Sequence, residues 1–318
     1  MKIYCRKKNL CTLVFLKTIF VQKCMKFPET ILRGIGQVMF QNNWLSGILF
    51  LAGIFYNSWM LGLAAIAGTC ISTISAQILN YSKVDIQNGL YGFNGTLTGI
   101  AVLCFFEVSP MTVGALIVGA TLSTLVMRFL KKILPPFTAP FVMVTWLLIY
   151  SLLLLVKLPL LSSSLEKDVA IAGLEILSAF GKSFGQVMFQ ENTVTGLLFL
   201  VAIFINNQLN AVYAMYAAIL GWAIGWLFSE PLTTLNAGLM GYNAILCAIA
   251  LSGKNRMDFL WISLAIILST VLNIGLARTG IITLTAPFVA ATWIILMVKN
   301  RNASSKNRSS AANKLQSL

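Results

Sequence analysis

The sequence predicts an all-helical polytopic membrane protein made of two inverted repeats, each with five transmembrane helices and one re-entrant half-helix. Three observations carry that prediction: a composition too apolar for a water-facing surface, apolar runs of bilayer-crossing length, and three words that occur twice in one order. Of 318 residues, 58% are hydrophobic and 10% are charged, whereas a soluble domain carries about 25% charged residues. Runs such as 59–79 and 111–130 match the ~20 residues that a helix needs to cross a bilayer. A transmembrane barrel would instead show short alternating segments. The word GQVMFQNN at 36–43 returns as GQVMFQEN at 185–192, shifted by 149 positions. NGLYGFNGTLTGI at 88–100 returns as NAGLMGYNAILCAI at 236–249, with Asn94 and Asn243 matched at the same shift of 149. FTAPFV at 137–142 returns as LTAPFV at 284–289, shifted by 147. Self-similarity of this kind marks a duplicated unit, whose sites are expected where the copies meet.

In chain order, residues 1–26 form a basic N-terminal extension. Its apolar piece, 10–21, is broken by Lys17 and has no counterpart in the second copy. No small-residue cleavage site follows, so a cytoplasmic or interfacial position is expected rather than a signal peptide. The first repeat covers 27–165, with a short polar prelude at 29–41 and spans at 44–56, 59–79, 89–106, 111–130 and 138–156. The second covers 166–298, with a prelude at 170–190 and spans at 193–205, 209–228, 236–252, 259–277 and 281–298. A basic tail at 299–318 ends the chain. Segments 44–56 and 193–205 are short for a full crossing.

Five spans per repeat is an odd number, so the second copy must sit upside down relative to the first. The charges agree. With the N-terminus inside, the inner loops hold eight Lys and Arg of residues 1–33, then Lys83, Arg128, Lys131, Lys132, Lys254, Arg256 and the last five. The outer side holds Lys157, Lys167, Lys182 and Arg278, giving 19 inside against 4 outside. This is the bias of basic residues toward the cytoplasmic face. It accounts for a net charge of +14 without nucleic acid as a partner.

The preludes are expected to enter as half-helices from opposite faces and to end near the midplane. Irregular backbone is tolerated at that depth only where it lines a cavity. A helix C-terminus presents unpaired carbonyls and the negative end of its dipole, which suits a neutral hydrogen-bond donor or a cation. Gln37 and Gln186 add amide oxygens as acceptors. Phe40 and Phe189 follow three residues later with flat apolar faces. Gly89, Gly92, Gly95 and Gly99 form a small-residue face of the kind that lets helices approach closely. Phe93 and Leu97 lie four apart on one helix face, and Tyr242 and Leu246 are their partners. Asn94 and Asn243, polar at membrane depth, are expected to fix the helix rather than touch a solute. Thr138 and Thr285 precede Pro140 and Pro287. Proline leaves free the carbonyl one turn earlier, so the hydroxyl is expected to satisfy that carbonyl or to face a pore.

The absences exclude whole classes. No histidine occurs, which removes histidine relays, histidine metal sites and Ser-His catalysis. Asp85, Asp168 and Asp258 fall in loops or at helix ends, so no mid-span carboxylate pair is available for protons or Na⁺. Glu191 is the one acid beside a candidate site, and Glu175 lies in the second prelude. Cys5, Cys11, Cys24, Cys70, Cys104 and Cys247 show no CxxC spacing, and neither a disulfide framework nor a metal site is expected. No cofactor is expected, and an enzyme would lack a nucleophile–base pair.

GQVMFQ, NGLYGFNGTLTG and LPPFTAPF at 134–141 together resemble the urea transporter family of bacteria and animal cells, over about residues 27–297. The resemblance implies a passive channel that conducts urea in single file, flat between aromatic rings, its N–H groups donating to oxygens along the half-helix ends. It implies a homotrimer with one pore per subunit and, for a bacterial-type member, an inner (cell) membrane protein with both termini cytoplasmic. Carried over by motif position, Gln37 and Gln186 would be acceptors with Val38 and Val187 beside them. Phe40, Phe93, Phe189 and Tyr242 would form the slot, and Leu97 and Leu246 would line its midpoint with Thr138 and Thr285. Three features depart from the family pattern: Tyr242 stands where Phe is expected, Ile281-Ile282 replaces Leu-Pro, and Gln186 stands where some relatives carry Glu. A channel for another small amide, or an ion-coupled carrier for one, is the alternative function.

Overall fold

A computed structural model describes residues 27–161 and 173–316, with side chains described as far as residue 301. The N-terminal extension, Lys167 and Asp168 lie outside the described residues. Among the described residues every regular element is helical. The first half comprises α1 (27–37), α2 (Trp44–Asn57), α3 (Trp59–Ile78), α4 (Lys83–Gln87), α5 (Gly92–Phe105), α6 (Pro110–Leu130) and α7 (Ala139–Leu154). The second comprises α8 (Ile176–Gly185, continued by the 3-10 turn Gln186–Met188), α9 (Thr193–Asn206), α10 (Gln208–Leu227), α11 (Leu232–Asn236), α12 (Tyr242–Ala250), α13 (Arg256–Arg278) and α14 (Ala286–Gln316).

The sequence sets the starts of these helices locally. Asn43 accepts from Leu45 N at 2.9 Å to cap α2, and Asn192 accepts from Thr195 N at 3.0 Å to cap α9. Ser58 and Asn207 cap α3 and α10 in the same manner. Helices α3, α6, α10 and α13 are long and apolar enough to cross a membrane. The prelude α8 and the helix α9 bend by 73° at the break between them. At 14 residues each, α2 and α9 reach about 21 Å, short of the ~30 Å hydrocarbon core.

Several expected boundaries change. The third span of each half starts later than 89 or 236, because a short helix and a left-handed glycine precede it. Gly89 has φ +73° and Gly238 φ +74°, and a Cβ on Gly89 would lie 2.4 Å from Gly34 N. Gly89 is therefore a turn residue against the prelude rather than part of the helix face. Gly95 does serve the close approach expected, since a Cβ there would lie 2.5 Å from Gly68 O on α3. The last span does not stop at 298; α14 is a single helix of 31 residues.

The halves meet through reciprocal contacts. Ser46 Oγ donates to Ala202 O at 2.7 Å, and Thr195 Oγ1 donates to Gly53 O at 2.9 Å. Exchanging the halves turns one contact into the other. Asn57 Nδ2 donates to Gln190 Oε1 at 2.9 Å, and Asn206 Nδ2 to Gln41 Oε1 at 2.7 Å. Trp146 Nε1 donates to Ile282 O at 2.7 Å, and Trp293 Nε1 to Pro135 O at 2.8 Å. Phe50 packs on its own counterpart Phe199, ring centroids 5.0 Å apart. Reciprocal pairs of this kind define an isologous interface. The loops are tied at their ends by ion pairs: Lys131 with Asp85, Lys299 with Asp258 and Arg278 with Glu230.

Candidate functional site

Both preludes end in the same strained turn. Phe40 and Phe189 adopt φ of 60° and 61°, a left-handed conformation that costs a bulky residue of order 1–3 kcal/mol unless its surroundings hold it. They do hold it. Gln41 N bonds Gly36 O at 3.0 Å and Gln190 N bonds Gly185 O at 3.0 Å, while the two fully buried side-chain amides donate back to Met39 O and Met188 O. Each buried glutamine is held in turn by an asparagine of the other half, Asn206 or Asn57.

Each turn leaves oxygens without a donor among the described residues. Gln37 Nε2 donates to Asn88 O at 2.9 Å and Gln186 Nε2 donates to Ala237 O at 3.0 Å. A carbonyl only accepts, so the amide nitrogen must face it and Oε1 points elsewhere. Among the described residues no donor reaches Oε1 of Gln37 or Gln186, nor the carbonyls of Val38 and Val187. Their Val side chains are buried in the core.

Aromatic rings buttress these turns, three of the four from the opposite half. Phe40 packs edge-on against Phe137 and against Phe288 of the other half, both at 6.0 Å. Phe189 packs against Phe105 and Phe141, both of the first half, at 5.7 and 6.1 Å. Phe93 and Tyr242 are buried at the starts of α5 and α12, and no ring contact closes Phe40 on Phe93 or Phe189 on Tyr242. Sequence reasoning missed Phe141 and Phe288. The duplicated TAPF word contained them, but nothing in it tells that they serve the opposite copy.

The asparagines fix helices, as expected. Asn94 Oδ1 accepts from Phe141 N at 3.0 Å and Asn243 Oδ1 accepts from Phe288 N at 3.2 Å. These are first-turn N–H groups of α7 and α14, which otherwise lack partners. Of the two alternatives expected for the threonines, the freed carbonyl needs correction. Pro140 and Pro287 lie in the first turns of their helices, where a missing N–H frees no carbonyl. Thr138 and Thr285 bond each other instead, hydroxyl to hydroxyl at 2.6 Å. The Tyr242 hydroxyl is also fully engaged: it donates to Leu284 O at 2.7 Å and lies 2.9 Å from Thr283 Oγ1 and 3.3 Å from Asn273 Oδ1.

A cavity of about 690 Å³ gathers Gln186, Val187, Phe189, Tyr242 and Thr285, with Glu191, Asn57 and Phe105 on its walls. Leu246 is sealed in the core instead. The first-copy residues Gln37, Val38, Phe40, Phe93, Leu97 and Thr138 do not line this cavity; Thr138 adjoins it through its bond to Thr285. Phe93, Leu97 and Thr138 are themselves buried. A smaller cavity of about 310 Å³ lies behind Tyr242, which with Leu239 and Thr283 also lines the larger one. Chemically, the cavity presents acceptor oxygens and flat apolar faces, with Glu191 the one charged residue among its described lining residues.

The family model described as Urea transporter matches residues 29–300. The chain is 33% identical to Urea transporter 1 of Rattus norvegicus over 247 residues, covering 72% of this chain and 64% of that protein. It is 30% identical to Urea transporter 1 of Capra hircus over 309 residues, covering 88% of this chain and 79% of that protein. The figures for Urea transporter 1 of Ovis aries are also 30%, 309 residues, 88% and 79%.

Proposed function

The chain belongs to the urea transporter family, and from that premise we propose that it conducts urea passively, down its concentration gradient. The observation that carries this reading is the duplicated prelude end, where Gln37 with Val38 and Gln186 with Val187 offer oxygens that no donor among the described residues uses. Urea is planar and neutral and carries four N–H donors, so it suits a flat slot edged by acceptors. Ions do not, because a charge stripped of water in an apolar passage is costly.

In this reading urea enters the cavity at Gln186, lies flat beside Phe189 and Tyr242, passes Leu246 and Leu97 at the threonine pair, and leaves by Phe93, Phe40 and Gln37. The reciprocal contacts and the odd number of spans support an inverted arrangement, with the preludes entering from opposite faces. The reading includes a homotrimer with a separate pore in each subunit, in the inner membrane of a bacterium with both termini cytoplasmic; the excess of basic residues on one side of the expected spans supports the position of the termini. Stopped-flow urea efflux from proteoliposomes, with formamide, acetamide and thiourea alongside, tests the solute. Fast, saturable urea efflux is expected; efflux of another amide without urea would overturn the assignment.

A further inference from the structure

The two mouths of the path are not equivalent, although the backbone repeats. In the first, Asn42 stands where the second has Glu191, and both ends of its amide are engaged: Arg33 donates to its Oδ1 at 3.2 Å and it donates to Asn88 Oδ1 at 3.3 Å. The nearby acid, Glu29, is gripped by Arg33 through Nε and Nη2 at 3.0 and 2.7 Å. In the second mouth Glu191 lines the large cavity together with Gln186, Phe105 and Phe189. Its one counter-charge is Lys182 at 3.4 Å, the longest of the five ion pairs among the described residues; the others span 2.5 to 2.8 Å. One mouth thus adds a loosely paired carboxylate to its unused amide oxygen and aromatic faces, whereas the other has Gln37 and Phe40 but its nearby acid is held by Arg33.

We propose that the mouth containing Glu191 binds small planar cations with N–H donors, of the guanidinium class, and that they block urea passage there without crossing. The proposal rests on the urea-conduction reading and adds a ligand class and a sidedness to it. A guanidinium ion has the shape and donor pattern of urea plus a charge. Its planar fork matches a carboxylate, its weak hydration eases entry, and its face stacks on aromatic rings. Beyond Gln186 the path offers only neutral groups, the buried Leu246 and the threonine pair, so the charge halts it. The cation has to compete with Lys182 for Glu191, which sets the affinity.

The test is urea efflux from proteoliposomes across a guanidinium chloride series kept far below denaturing concentration, with sodium chloride at equal ionic strength as control. Each variant is normalised to its own uninhibited rate. Saturable inhibition by guanidinium alone is expected. Glu191→Gln should raise the half-inhibiting concentration about fivefold, the upper range for a part-exposed ion pair, and Lys182→Met should lower it. Urea efflux that ignores guanidinium, or inhibition identical in wild type and Glu191→Gln, overturns the proposal. If the protein passes no urea, the conduction reading has failed instead. Calorimetric titration of guanidinium into the detergent-solubilised protein then decides the site, with loss of binding in Glu191→Gln supporting it and unchanged or absent binding refuting it.

Discussion

The hydroxyls of Thr138 and Thr285 lie 2.6 Å apart, each the counterpart of the other, where the two halves of the chain meet. A bond between symmetry-related hydroxyls has one donor and one acceptor, so one of the two protons remains free for a third group. Both side chains are buried, and Thr285 also faces the cavity. Thr138→Val or Thr285→Val leaves its partner buried and unpaired, at a cost of about 1–3 kcal/mol. The double variant removes both groups and should lose little more than either single one. Denaturation of the three variants in detergent checks this; strictly additive losses would mean that the pair is not coupled.

Gln37 and Gln186 are each anchored through Nε2, at 2.9 and 3.0 Å, with Oε1 left over. Leucine at either position removes the acceptor. Loss of a hydrogen bond worth about 1.4 kcal/mol corresponds to about tenfold, so Gln37→Leu and Gln186→Leu should each lower the urea rate by about that factor. Near-normal rates in stopped-flow efflux would show that these glutamines only pack.

Tyr242 differs. Its hydroxyl is consumed by Leu284 O, Thr283 and Asn273, at the left-handed turn where Leu284 has φ 47°. Tyr242→Phe should destabilise the protein by about 1–2 kcal/mol while urea efflux stays within about threefold, a factor of under 1 kcal/mol. A collapse of the urea rate in a variant that is still folded would place the hydroxyl on the solute's path.

Phe93 is the ring at the matching position of the first half, buried at the start of α5. Phe93→Ala should admit acetamide and larger amides faster relative to urea. An unchanged ratio of acetamide to urea rates would remove Phe93 from the slot.

Much of this was legible in the sequence. The duplicated words marked the two halves, and eight of the ten expected spans begin within three residues of an observed helix, because apolar runs and caps are local signals. The prelude ends were legible for the same reason. What was not legible is contact between copies. Asn57 reaches Gln190 across 133 positions and Asn206 reaches Gln41 across 165, and no local pattern encodes such pairs. Phe141 and Phe288 look like ordinary span residues until the fold carries them to the opposite prelude. For Thr138 and Thr285 only the freed-carbonyl alternative fails, because Pro140 and Pro287 stand in first turns rather than in helix interiors; Thr285 does face the cavity.

The central claim is passive conduction of urea, and it is tested most directly by the steady-state ratio of labelled urea inside to outside proteoliposomes. Imposed Na⁺ and proton gradients and a membrane potential would be present throughout. The account predicts that urea equilibrates rapidly to equal concentrations and that no gradient changes this ratio. Accumulation inside above the outside concentration, abolished when a gradient is dissipated, would contradict it and indicate a coupled carrier.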